Sequence, residues 1–197
     1  MQRIGVVLAG GKATRLNNKI LLPLKSGYPM ICSSIDYLLR LKLQKIVILD
    51  KELSILPKLL YQLYGELEFM TDNFSGIPSA LRSLADKYKA ELIVVCADNI
   101  YSVESVPLIE NSGVVRKVPV AESQRLTTFV DGKWVRGQVS GTALTTPWIL
   151  NSVSIQLSVS DGLEDLFNEL KIRPNLCPAN KWADLGTEDS YLRYWNA

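Results

Sequence analysis

The chain has 197 residues with 22 basic and 20 acidic side chains, a net charge of +2 and 47% hydrophobic residues. That length suits one domain with a sizeable core, and the near-neutral balance gives no support to a nucleic-acid or membrane-surface partner. Histidine is absent, which excludes histidine triads, histidine zinc sites and imidazole acid–base catalysis.

"RIGVVLA" (3–9) is a short β-branched apolar run ending at Gly10-Gly11 and reads as a buried strand. "PMICSSIDYLLRLK" (29–42) has Pro29 at a helix start, with Ile31, Ile35, Leu38 and Leu39 near helical spacing. "KIVIL" (45–49) predicts a second strand, the stretch after Pro57 a helix closing at Gly65, and "ELEFM" (66–70) a third strand. "SGIPSALRSLADKYK" (75–89) predicts a helix with Ile77, Leu81, Leu84 and Tyr88 on one face. "ELIVVCA" (91–97) is the strongest strand pattern and terminates at Asp98-Asn99. Strands alternating with helices at this spacing imply βαβ units and a parallel sheet covered on both faces.

From residue 112 the pattern becomes β-rich: "GVVRKVPV", "RLTTFV" and "KWVRGQV", with Asp131-Gly132 fitting a tight hairpin turn. "DGLEDLFNEL" (161–170) predicts a helix with Leu163, Leu166, Phe167 and Leu170 inward. Thr187 caps a last helix whose first turn carries Glu188 and Asp189, where the helix dipole favours acids. The whole reads as an α/β fold, a mixed and mostly parallel sheet flanked by helices, with a β-rich insertion in the second half. One domain is expected over 1–197, the later half reading as an insertion and lid on one α/β unit.

The three cysteines Cys32, Cys96 and Cys177 are widely spaced and read as reduced thiols of a cytoplasmic protein. No apolar stretch reaches the ~18 residues of a membrane-spanning helix. The four tryptophans, Trp134, Trp148, Trp182 and Trp195, read as packing residues.

Open parallel sheets bind ligands at the carboxyl ends of their strands. The loop Gly10–Lys19 and Asp98 fall there. The loop has neither a G-x-x-x-x-G-K-[ST] nor a G-x-G-x-x-G pattern, but its glycines can turn amides inward around an anion. Arg15 offers a planar fork to phosphate oxygens and Lys19 a point charge. An Asp after a buried strand, such as Asp98, also suits a simple turn cap, and Asp184, beside Trp182 and before Gly186-Thr187, also suits a cap of the last helix.

Order and context add to this. "LAGGKATRL", "NKILLPL" and "GYPMI" are followed in order by "SGIPSAL", "CADNIY", "VSGTAL", "SDGLEDLF" and "WADLGTEDSYL". The series resembles the sugar-phosphate nucleotidyltransferases, the glucose-1-phosphate thymidylyltransferases and mannose- or heptose-phosphate guanylyltransferases among them. The resemblance implies a Rossmann-like nucleotidyltransferase fold, with a nucleotide-binding half (1–111) and an acceptor-binding half with the closing helix (112–197). It also implies Mg2+-dependent attack of a sugar 1-phosphate on the α-phosphorus of a nucleoside triphosphate, with release of pyrophosphate.

In this reading Leu8, Ala9, Gly10, Gly11, Lys12, Ala13, Thr14, Gly76 and Ala97 bind the nucleotide. Arg15, Lys19 and Asp98 are catalytic, Asp98 and Asp184 hold the metal, and Asn99, Gly141 and Arg136 face the acceptor. A phosphate monoester is already anionic, so no general base is needed and the missing histidine costs nothing. The partners implied are the two substrates, with the protein a monomer or small homo-oligomer.

Ala13 stands where the family has a glycine, Asn18 where it has a proline, and no E-K-P segment follows "FVDGKWV". A choline-phosphate cytidylyltransferase, a molybdenum-cofactor guanylyltransferase or a catalytically inactive nucleotide-binding relative fits the same residues. A glycosyltransferase would need a D-x-D motif after the central strand, which "ADNIY" lacks.

Overall fold

The computed structural model describes residues 2–10, 19–43, 45–50, 56–71, 75–101, 108–118, 120, 126–138, 140–177 and 182–196. The chain divides into two compact units, one of residues 1–3, 73–94 and 106–179, the other of residues 4–72, 95–105 and 180–197.

In the second unit, strands β1 (Arg3–Leu8), β2 (Ile46–Asp50) and β3 (Glu68–Thr71) run parallel in the order β1-β2-β3, with Val6 opposite Val47 and Ile48 opposite Phe69. Ile4, Val6, Val7 and all of β2 are buried, as in parallel sheets covered on both faces. Helix α1 (Ile31–Arg40) buries Ile31, Ile35 and Leu38, but Leu39 is 45% exposed. Leu39 stands at the edge of the apolar stripe, in the last turn, where the expected inward position is not reached. A β-carbon on Gly5 would come within 2.9 Å of Leu38 Cδ1. Glycine in β1 therefore gives α1 the room to lay Leu38 on the strand. Helix α2 (Leu56–Tyr64) lies between β2 and β3 in sequence, and Gly65 ends it at φ +70°.

The first unit carries β4 (Glu91–Cys96), β6 (Ser112–Lys117), β9 (Thr142–Asn151) and β10 (Arg173–Cys177), with β9 antiparallel to both β4 and β6 and β10 parallel to β6. The register jumps from Gly113–Trp148 to Val114–Thr145, so that Thr146 and Pro147 of β9 fall at a bulge opposite the Gly113–Val114 step of β6. A proline enters a two-sided strand at such an irregularity because it donates no ladder hydrogen bond. Strands β7 (Thr127–Val130) and β8 (Lys133–Arg136) form the expected hairpin, with Asp131 and Gly132 both at positive φ.

Helix α3 (Ile77–Lys87) buries Leu81 and Leu84 and leaves Ile77 and Tyr88 half-buried. Helices α4 (Ser152–Leu157) and α5 (Leu163–Glu169) follow β9, and in α5 Leu166 and Phe167 are fully buried while Leu163 and Leu170 are half-buried. Phe167 meets Trp134 and Trp148 edge-on, at ring-centre distances of 5.5 and 5.3 Å. Both indoles donate to backbone carbonyls, Trp134 to Ile172 and Trp148 to Thr145. These two tryptophans are packing residues, as expected, whereas Trp195 is 41% exposed.

The pattern of alternating strands and helices thus gives the expected mixed, mostly parallel sheet flanked by helices, seven strands in all. Helix α4, capped by the Asn151 side chain accepting from Val153 N, and strand β10 have no counterpart in the sequence reading. No described helix is long and apolar enough to cross a membrane.

Candidate active site

The turn after β4 is held from several sides within the second unit. Ala97 N donates to Leu8 O and Ala9 N to Leu49 O, so Leu8, Ala9 and Ala97 form a continuous backbone seam. Ser34 of α1 donates its hydroxyl to Cys96 O at 2.7 Å. Strand β5 (Asn99–Tyr101) pairs antiparallel with β11 (Trp182–Asp184), in a register that sets Asp184 opposite Asn99. Leu185 N then donates to Asp98 O at 2.9 Å. That pairing brings two aspartates, far apart in sequence, to one end of a short ribbon.

Gly186 shows how close they come. A β-carbon there would lie 2.8 Å from both Asp184 Oδ1 and Asp98 Oδ2, and 3.6 Å from Lys19 Nζ. The two carboxylate oxygens are therefore at most about twice that first distance apart. Gly186 N itself donates to Asp184 Oδ1 at 2.7 Å, a turn in which the side chain replaces a backbone acceptor. Lys19 heads a 3-10 turn (Lys19–Leu21), and its ammonium donates to Asp98 Oδ2. Both side chains of this ion pair are largely buried, at 17% and 16% exposure.

Asn99 is buried, donates from Nδ2 to Asp98 Oδ1 at 3.2 Å and accepts from the Tyr101 hydroxyl at 3.4 Å. Tyr101 stacks on Tyr37 of α1 with ring centres 4.5 Å apart. The second carboxylate oxygen of Asp98 is thus oriented by a residue that is itself locked.

Of the residues singled out from the sequence, Lys19, Asp98, Asn99 and Asp184 come together, and Ala9, Gly10 and Ala97 are buried close by in sequence. Gly76 caps α3 at φ +102° and is exposed. Gly141 has φ +68° and accepts from Val118 N, and Arg136 is exposed at the end of β8. Gly11, Lys12, Ala13, Thr14, Arg15 and Asn18 lie outside the described residues. Gly186 and Ser34 were not singled out by sequence reasoning. The D-x-G spacing within "WADLGT" is the signal that could have found Gly186, since an aspartate that accepts its own second-next amide needs room there.

The donor set suits a hard cation. One oxygen of each aspartate borders Gly186, which sets the two carboxylates close together, and among the described residues no group of three or more His, Cys, Asp or Glu side chains forms a metal cage. Mg2+ is commonly held by one or two carboxylates together with substrate phosphates and waters, so this pair fits it.

Comparison with known proteins bears on this arrangement. A Bacillus anthracis protein described as a glucose-1-phosphate thymidylyltransferase, solved with a sucrose, superposes with a TM-score of 0.77 at 22% identity, covering 98% of this chain and 93% of its own. The UTP-bound UGPase of Acinetobacter baumannii gives 0.75 at 12% identity, with 98% and 92% covered. The CTP:phosphocholine cytidylyltransferase of Streptococcus pneumoniae gives 0.74 at 17% identity, with 98% and 97% covered. At these identities the likeness establishes the fold. No curated protein sequence matches the chain. Residues 5–108, just over half of the chain, match the family of MobA-like NTP transferase domains, and the chain belongs to that nucleotidyltransferase family.

Proposed function

We propose that this chain joins a nucleoside triphosphate to a sugar 1-phosphate, giving a nucleotide-sugar and pyrophosphate. The observation that carries the reading is the convergence of Lys19, Asp98 and Asp184 beside Gly186. A phosphate oxygen of the acceptor attacks the α-phosphorus, the bond from that phosphorus to the bridging oxygen breaks, and pyrophosphate leaves with the electron pair. No proton need move, which suits a site built without histidine.

The obstacle is charge: two anions must meet while negative charge persists on the equatorial oxygens. Lys19 brings one positive charge to that point, and Lys12 and Arg15 act on the triphosphate. Magnesium held by Asp98 and Asp184 supplies neutralisation of the phosphate oxygens when bound. Arg136 and Gly141 serve the acceptor, and Gly76 the base. The setting proposed is cytoplasmic, in keeping with three cysteines outside any disulfide.

Pyrophosphate release tests this with ATP, CTP, GTP, UTP and dTTP against a panel of sugar 1-phosphates, choline phosphate included. One productive pair with a sugar phosphate is the expected outcome. Turnover with choline phosphate alone moves the acceptor to that class, and silence across the panel overturns the transferase reading. Asp98→Asn, as control, is expected to lose about a hundredfold or more in turnover while remaining folded.

A further inference from the structure

The carboxylate oxygen that a divalent cation would use already has a cation of its own. Asp98 Oδ2 accepts from the Lys19 ammonium, and both side chains are largely withdrawn from water. The same oxygen is one of the two that border Gly186, where a β-carbon would also lie 3.6 Å from Lys19 Nζ. Two carboxylates this close repel unless a positive charge lies between or beside them. Lys19 supplies it from within the chain.

We propose that Lys19 is a built-in counter-cation which makes the site take its metal together with the triphosphate rather than beforehand. This rests on the nucleotidyltransferase reading above. A metal ion arriving alone must either displace the ammonium from Asp98 or sit beside it among side chains largely withdrawn from water. Both are unfavourable, because like charges at short range are weakly screened when partly buried. A triphosphate changes the balance by offering the ammonium a new set of anionic oxygens. Lys19 then passes from Asp98 to phosphate, and the freed carboxylate oxygen becomes available. The lysine thus has two partners in sequence, and the aspartate pair is held in place before substrate arrives.

Binding of Mn2+ alone, read by the paramagnetic resonance signal of the free ion, separates this from a fixed structural ion pair. Wild-type protein is expected to bind Mn2+ alone weakly. Lys19→Met and Lys19→Gln should bind it at least about tenfold more tightly, since a neutral side chain removes the competing charge. Lys19→Arg should resemble wild type. In the presence of a triphosphate the order should reverse, the neutral variants gaining less from it than wild type. Equal Mn2+ affinity in wild type and both neutral variants, with circular dichroism showing them folded, overturns the proposal. So does a Lys19→Arg protein that binds metal as tightly as the neutral ones. If none of the five triphosphates, after subtraction of its own chelation of Mn2+, changes Mn2+ binding to wild type, the nucleotidyltransferase reading fails and the proposed order of binding fails with it. The ratio of variant to wild-type affinity for metal alone does not depend on that outcome.

Discussion

A single methyl group at residue 186 would stand 2.8 Å from two carboxylate oxygens, well inside ordinary contact. Glycine's value here is space, not backbone freedom: alanine would have to push Asp98, Asp184 or both away from their shared point. Gly186→Ala is expected to lower turnover by about tenfold to a hundredfold, with a melting temperature close to that of wild type. Steady-state pyrophosphate release together with a thermal melt checks this, and unchanged turnover would show that the carboxylates do not need to meet. The aspartates themselves are legible as candidates, Asp98 at the end of the strongest strand pattern and Asp184 within "WADLGT". Their meeting is not legible, because it depends on the β5–β11 pairing of two three-residue strands, one near the middle of the sequence and one far along it. Strands that short carry almost no periodicity.

At the scale of elements, helix α6 (Glu188–Asn196) ties down the segment that presents Lys19. Its Tyr191 hydroxyl donates to Pro23 O at 2.7 Å, and the Tyr194 hydroxyl accepts from Lys25 N at 3.0 Å. Beneath them Leu24, Met30 and Leu185 form a buried cluster on which both tyrosines pack. Thr187 starts the helix as expected, accepting from Ser190 N. The helix therefore begins just past Gly186 and reaches back to the turn of Lys19, fixing both sides of the cation–carboxylate group.

Tyr191→Phe keeps the packing and removes one hydrogen bond, which should cost about 1 kcal/mol or less in stability. Its turnover is expected to fall by roughly tenfold, through misplacement of Lys19, with triphosphate KM changed less. A fall in stability alone, without loss of kcat, would make the contact merely structural. The helices with wide apolar stripes, α1, α3 and α5, are readable because their spacing records the face they bury. Strand β10 is not: Pro174 interrupts it and Leu176 is 63% exposed, so it belongs to the sheet through its backbone pairing with β6 rather than through an apolar pattern.

Across the whole molecule, the three thiols report on how completely each surrounding is closed. Cys32 and Cys177 are buried and Cys96 is half-buried, and none is in a disulfide. Burial pushes the Cys32 thiol up from its ordinary value, with the nearby Asp36 carboxylate adding to the rise and a hydrogen bond with Tyr64 partly opposing it. The folded state thus favours the neutral thiol. Its contribution to stability is fully present below the ordinary thiol value, ~8.5, and is lost as pH rises toward and through the higher folded value. A bulky thiol reagent at pH 8 is therefore expected to label at most Cys96 in the folded chain and all three cysteines in denaturant. Raising the pH should leave Cys32 unlabelled until the protein itself begins to open, so its labelling and the loss of near-ultraviolet dichroism should coincide. Rapid labelling of Cys32 in protein that keeps its dichroism would mean that α1 parts from its strands without global unfolding, and that the Ser34 anchor of the Asp98 turn is mobile in the native state.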